Sequence, residues 1–248
     1  MKVPKSNKNW FAEWFDSDYY HILYQHRDHS EAETFIRNLS EYLALPKDTK
    51  VLDLACGKGR HSIQLNELGY NVTGLDLSKE SIQFAKQFEN NKLHFTTGDM
   101  RKLNFKEKFD LVFNLFTSFG YFHEETDNLK VIKSIADTLK PKGKLVLDYL
   151  NTSRVVKNLP QSESVNVGNI NFQVKKELID QFIVKNIHFE DKSEHHNYQE
   201  FVRVIDLEKF KTYFKQSGLE LIETFGDYYL NSFDETNSER LILVAQKS

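Results

Sequence analysis

Residues 50–78 read KVLDLACGKGRHSIQLNELGYNVTGLDLS, and in that order they spell a strand, a glycine turn, a helix and a second strand ending in an acid. Val51, Leu52 and Leu54 surround Asp53 in a short apolar run. Gly57 and Gly59 follow it, and two glycines let the chain turn tightly and bring its backbone close to a ligand. Ile63, Leu65 and Leu68 predict a helix that stops at Gly69. Residues 72–75 predict the next strand, and Asp76 stands 23 residues after Asp53, where a carboxylate can accept both hydroxyls of a ribose. The pattern is the entrance to a site for an adenosine-bearing cofactor. The glycines alone do not choose which one, because nicotinamide dinucleotides use the same turn.

The third position of the dinucleotide fingerprint G-x-G-x-x-G falls at Ser62, so that fingerprint is incomplete. A second acid lies downstream. Residues 93–97 predict a third strand, and Gly98, Asp99 and Met100 follow it, Asp99 coming another 23 residues after Asp76. Strands at this spacing put Asp76 and Asp99 at carboxyl ends on one edge of a parallel sheet, where open α/β folds bind ligands. One acid then suits the ribose and the other the adenine amino group, with Met100 against the ring.

In the segments DLACGKGR, GLDLS, TTGDM and FDLVFNLFTSFGYF the chain resembles the class I S-adenosylmethionine-dependent methyltransferases, over most of residues 45–150. The resemblance implies an α/β fold: a doubly wound, Rossmann-like seven-stranded sheet with an antiparallel last strand. It implies S-adenosyl-L-methionine as the cofactor and S-adenosyl-L-homocysteine as its product. Carried over by motif, Asp53, Ala55, Gly57 and Gly59 lie along the methionine and ribose part of the cofactor. Asp76, with Leu77 beside it, takes the ribose, and Asp99 and Met100 bracket the adenine. Residues 109–116 form a nearly continuous apolar strand of the kind buried on both faces, and its end, Asn114, Leu115 and Phe116, would pass beneath the sulfonium.

The loop over residues 117–123 is then expected to hold the methyl acceptor. Tyr121 and His123 are its catalytic candidates, His123 as general base for a hydroxyl acceptor because an imidazole titrates near neutrality. YHILYQ, residues 20–25, resembles the amino-terminal segment of small-molecule N-methyltransferases of the glycine and amino-sugar type, which implies that Tyr20 reaches the cofactor carboxylate. Arg27 is a second candidate for that carboxylate, since a guanidinium fork suits it. The chain lacks the Asn/Asp-Pro-Pro-Phe/Tyr signature of enzymes that methylate nucleic-acid amino groups, which favours a small-molecule acceptor, at nitrogen or oxygen. An RNA or protein methyltransferase and a non-catalytic cofactor-binding protein are the alternatives.

With 248 residues and 40% hydrophobic content the chain has ample material for a core. It contains no signal-like or membrane-spanning apolar run, so a soluble cytoplasmic protein with no membrane partner is expected. One cysteine, Cys56, cannot make an internal disulfide, and no Cys/His spacing predicts a metal site. A net charge of -3 with mixed signs argues against a nucleic-acid partner.

The predicted organisation is an amino-terminal flap over residues 1–29, a methyltransferase core over 30–151 and 206–248, and an antiparallel β insertion over 152–205. In the flap, Trp10, Phe11, Trp14 and Phe15 are expected to pack on the following helix, predicted over residues 31–43 with a Ser30/Glu33 capping box. In the insertion, residues 171–179, 182–190 and 198–205 alternate like strands, with turns at 179–181 and 191–196 that include His195 and His196. Between Glu163 and Arg203 five Lys and Arg face seven Asp and Glu, a net charge of -2, which makes this sheet a poor grip for RNA or DNA. In the resembled N-methyltransferases a comparable insertion forms a lid or dimer surface, so a monomer or homodimer acting on a small molecule is implied. A helix over 207–216, a strand over 218–225, a hairpin loop over 226–238 and a last buried strand over 240–246 complete the chain.

Overall fold

The computed structural model describes residues 10–24 and 29–248, without the side chains of residues 12 and 29–31; Arg27 and the Ser30 side chain of the expected capping box lie outside it. The chain begins with two short helices, α1 (Trp10–Phe15) and α2 (Asp18–Leu23), and a longer one, α3 (His29–Leu43). Then β1 (Lys50–Leu54), α4 (Arg60–Glu67), β2 (Asn71–Asp76), α5 (Lys79–Ala85), β3 (Leu93–Thr97), β4 (Phe109–Asn114), α6 (Glu125–Thr138) and β5 (Leu139–Leu150) alternate as the sequence requires. After α7 (Thr152–Lys157) come four strands, β6 (Gln161–Val167), β7 (Ile170–Ile179), β8 (Phe182–Asp191) and β9 (Glu194–Arg203). The last elements are α8 (Leu207–Gln216), β10 (Leu219–Phe225) and β11 (Arg240–Lys247).

The large sheet has seven strands in the order β10-β11-β5-β4-β1-β2-β3. Pairs among β1 to β5 are parallel, whereas β11 runs antiparallel to both β5 and β10. This is the expected doubly wound sheet with a reversed last strand. The order reverses beside β1, and at such a switch point the two flanking loops part and leave a crevice at the strands' carboxyl ends. Burial explains the stiffness of its centre: Val51, Leu52, Leu54, Leu111, Val112 and Phe113 are all fully buried, as strands covered on both faces require.

The four-stranded antiparallel sheet, in the order β6-β7-β8-β9, contains the three predicted strands and one that was not predicted, β6. Five of the seven residues of β6 are polar or charged, the exceptions being Val165 and Val167, and this weak alternation hides an edge strand. The turn between β8 and β9 is also tighter than expected. Lys192 and Ser193 take left-handed φ angles of 50° and 65°, the two-residue reversal that matches strand twist. His195 and His196 are therefore strand residues rather than turn residues, opposite Glu190 and Phe189.

The flap aromatics pack elsewhere than expected. Trp10 makes edge contacts with Tyr121 and Phe201, and Trp14 lies 4.5 Å from the Tyr198 ring, so α1 docks on β9 and the loop after β4 instead of on α3. The reason is polar as well as apolar: the Trp14 Nε1–H donates to Glu200 on β9 at 2.7 Å.

Candidate active site

One cavity of about 1500 Å³ opens along the carboxyl ends of β1, β2, β3 and β4 and continues beneath the four-stranded sheet. Its floor begins where β1 ends. Ala55 takes a left-handed φ of 64° and Gly57 one of 55°, which reverses the chain before α4. A Cβ on Gly57 would meet no protein atom within 4 Å; Gly57 lines the cavity, so its missing side chain leaves the backbone open to a ligand. Gly59 does not line the cavity. Its φ is 85° and a Cβ there would come within 2.6 Å of the Phe95 ring, so its smallness serves packing between α4 and β3.

Three carboxylates sit at successive strand ends, in three different settings. Asp53, on β1, is buried and accepts a 2.6 Å hydrogen bond from the Ser62 hydroxyl, the residue that stands where a dinucleotide fingerprint has its third glycine. Burial pushes its carboxyl up to about 6, against the pull of that hydrogen bond. Asp76, at the end of β2, accepts backbone N–H bonds from Gly57 and Ser78, each at 2.8 Å, and so ties the glycine loop to the start of α5. Burial raises its carboxyl as well, and these backbone bonds oppose the rise. Both acids line the cavity.

Asp99 also lines the cavity, but Arg101 holds both of its oxygens, with Nε at 3.0 Å from each and Nη2 at 2.6 Å from Oδ2. Burial alone would raise the Asp99 carboxyl, yet the Arg101 bonds bring it below the ordinary value. Arg101 was not singled out in the sequence. It reaches Asp127 on α6 at 3.2 Å and lies over the Phe122 ring at 4.7 Å, so it braces this side of the crevice from three directions.

At the end of β4, Leu115, Phe116, Thr117 and Ser118 line the cavity, and Phe116 and Thr117 both take left-handed φ, 56° and 60°. Strain of this kind persists only where the surroundings hold it. Here the holder is Asp148, fully buried on β5. Its Oδ2 accepts from the Phe116 N–H at 2.8 Å and from the Tyr228 hydroxyl at 3.3 Å, and its Oδ1 accepts from Arg240 Nε at 2.8 Å. Arg240 then donates to the Thr117 hydroxyl at 2.8 Å. Burial raises the Asp148 carboxyl against the pull of Arg240. The His61 ring stacks on Phe116 at 4.7 Å and 3°, which closes this side. Neither the Asp148–Arg240 pair nor His61 was anticipated; an acid inside a buried strand, in LVLDYL, was the available signal for the pair.

Of the other expected residues, Tyr20, Leu77, Met100, Leu115 and Tyr121 line the cavity, as does Ala55. The Tyr121 hydroxyl donates to the Thr117 carbonyl and its ring packs edge-on against Trp10. His123 does not line the cavity: its ring is held 5.4 Å from Phe182 and 5.8 Å from Phe201, while its carbonyl accepts from Arg203. The imidazole is thus sequestered in the apolar seam between the loop and the antiparallel sheet. Cys56 is a buried free thiol that burial pushes up, which fits a packing residue. Among the described residues no three His, Cys, Asp or Glu converge as metal ligands, and no helix is long and apolar enough to cross a membrane.

Comparison with known proteins adds to this geometry. A family model described as a methyltransferase domain matches residues 45–218. The chain is 31% identical over 220 residues to the putative methyltransferase YqeM of Bacillus subtilis, covering 83% of this chain and 87% of that protein. It is 28% identical over 252 residues to a glycine/sarcosine N-methyltransferase of Aphanothece halophytica, covering 97% and 91%. Its fold is similar to a crystal structure of an S-adenosylmethionine-dependent methyltransferase from Clostridium acetobutylicum, with a TM-score of 0.77 at 21% identity over 97% of this chain and 98% of that one.

Proposed function

The chain belongs to the S-adenosylmethionine-dependent methyltransferases, and from that premise we propose that it methylates the nitrogen of a small-molecule amine. The observation that carries the reading is the continuity of the cavity, which runs from the acids at the strand ends into a half-enclosed, aromatic-lined chamber beneath the four-stranded sheet. A relative similar over nearly its whole length is a glycine/sarcosine N-methyltransferase, which supports a small amine as acceptor. The insertion over residues 152–205 serves in this reading as the roof of the acceptor site, and residues 10–24 as its front wall.

The residues present fit the cofactor. Asp76 keeps a cavity-facing carboxylate for the ribose hydroxyls while its backbone partners fix its direction. Leu77 and Met100 offer apolar walls to the adenine; Asp99 acts through Arg101, which occupies both of its oxygens. Ala55 and Gly57 leave room along the methionine part, Tyr20 is the side chain placed to meet its carboxylate, and Leu115 lies at the floor. When bound, the cofactor supplies a methyl group already activated by a positively charged sulfur.

The protein's part is alignment, since an amine that arrives neutral carries its own nucleophilic lone pair. Holding such a nucleophile in line can supply roughly 7 to 11 kcal/mol in favourable cases. Phe116 and Thr117, fixed in their left-handed conformation by Asp148, together with Tyr121, shape the wall against which the acceptor is held. With His123 outside the cavity, no imidazole base is assigned. Incubation with methyl-labelled S-adenosylmethionine and a panel of small metabolites, read by mass spectrometry, is expected to place the label on an amine nitrogen. Label found only on RNA or on protein would overturn the reading.

A further inference from the structure

Glu200 sits on the cavity-facing side of β9 with its side chain 15% exposed, and its two oxygens differ sharply. Oε1 accepts from Trp14 Nε1 and from the Tyr24 hydroxyl, each at 2.7 Å. Oε2 accepts no hydrogen bond from the described residues; its nearest cation, Lys185 Nζ, stands 4.0 Å away and donates instead to the Tyr24 hydroxyl. A carboxylate so arranged is fixed in direction by one oxygen and left with acceptor capacity on the other. In a half-enclosed site that unused capacity costs free energy until a donor fills it.

The walls around it are aromatic: Trp10, Phe15, Tyr20, Tyr24 and Tyr121 all line the same cavity. Ring faces attract cations, and the chamber already shows this with Lys185 Nζ 4.5 Å from the centre of the Tyr24 ring. A hydroxyl could also donate to Oε2, but only a cationic group gains from both the carboxylate and the rings. Resting on the methyl-transfer reading, we infer that Glu200 is the acceptor-binding residue, recognising through Oε2 an amine whose charged form, in substrate or product, is held within these rings. Lys185 is its cross-strand partner, with Nζ 4.0 Å from Oε2.

The test uses the full-length protein saturated with S-adenosylhomocysteine and two matched probes, benzylammonium and benzyl alcohol, titrated by saturation-transfer NMR. Benzylammonium is expected to bind at least about tenfold more weakly to Glu200→Gln than to the unaltered protein, while the alcohol's weaker binding stays the same. Glu200→Asp keeps the charge but withdraws it by one methylene, and should fall between the two. Tyr19→Phe is the control for a loosened flap. The Tyr19 hydroxyl donates to Asp191 at 2.9 Å and lies outside the cavity, so this variant should leave benzylammonium binding unchanged. Equal losses in Tyr19→Phe and Glu200→Gln, unchanged binding in both Glu200 variants, or an alcohol that binds as tightly as the ammonium would overturn the inference. A protein that binds benzylammonium through Glu200 yet methylates no amine would overturn the methyl-transfer reading alone. Amine methylation indifferent to Glu200→Gln would overturn this inference alone.

Discussion

The two ends of the cavity are built in opposite ways. At the end proposed to hold the cofactor, Asp53, Gly57, Asp76 and Asp99 come from the ends of β1, β2 and β3, adjacent parallel strands. At the end proposed to hold the acceptor, walls come from α1, α2, β8 and β9; Trp14 and Glu200, which hydrogen-bond directly, lie 186 positions apart. The first end is set by local chain geometry, and the second by docking of a separate sheet and flap. Lesions in one should therefore leave the other largely intact, and the seam between them should be the costliest place to cut.

That seam is Asp148, which joins β5, the loop after β4 and β11. Asp148→Asn places an amide NH2 against either Arg240 or the Phe116 N–H and leaves a largely buried cation without its carboxylate, so unfolding stability should fall by about 3 kcal/mol. A shift in the urea midpoint at constant slope measures it, and a midpoint near that of the unaltered protein would dissolve the distinction between seam and ends.

A pH effect at the cofactor end comes from Asp53. Asp53 has an ordinary value of 3.8 but is raised to about 6 in the folded chain, so between those values the native state holds more protons than the unfolded one. Its contribution to stability is full below 3.8 and is lost as the pH rises through 6, by up to about 3 kcal/mol. Asp53→Asn should remove this slope from the stability profile between pH 4 and 7, while Glu200→Gln should leave it in place.

Within the cofactor end the two glycines separate packing from binding. Gly59→Ala drives a Cβ into Phe95 at a left-handed φ and should cost about 2 kcal/mol of stability. Gly57→Ala should cost only about 1 kcal/mol, because its Cβ enters open cavity, but should weaken S-adenosylhomocysteine binding more than Gly59→Ala does. At the acceptor end the smallest effect is expected from Tyr19→Phe, which removes one hydrogen bond between flap and sheet and should cost less than either glycine substitution. Thermal and urea unfolding of the three variants give this ranking, and a reversed order would show that the two ends are not built as described.

The same contrast explains what the sequence disclosed. The strand-turn-helix-strand pattern and the acids at 23-residue intervals are local signals, and the doubly wound sheet followed from them. Even there, partners were invisible: Arg101 is adjacent to Met100, yet nothing local indicates that it takes both oxygens of Asp99. The acceptor end was less legible because its contacts are long-range. The spacing of Trp10 and Trp14 gave their helix but not its docking surface, which depends on Glu200 far along the chain. His123 was attractive by chemistry, but only the packing of Phe182 and Phe201 reveals that its ring turns away from the cavity. The strand β6 escaped because an edge strand facing solvent need not alternate in polarity.

The most direct test is calorimetric titration of S-adenosylhomocysteine into the unaltered protein, Asp76→Asn and Glu200→Gln, with NAD titrated in parallel. One equivalent should bind to the unaltered protein and, within about twofold, to Glu200→Gln, whereas Asp76→Asn should bind at least about tenfold more weakly, the cost of a lost charged hydrogen bond. NAD should not compete. Undiminished binding by Asp76→Asn, or a preference for NAD, would contradict the cofactor site described.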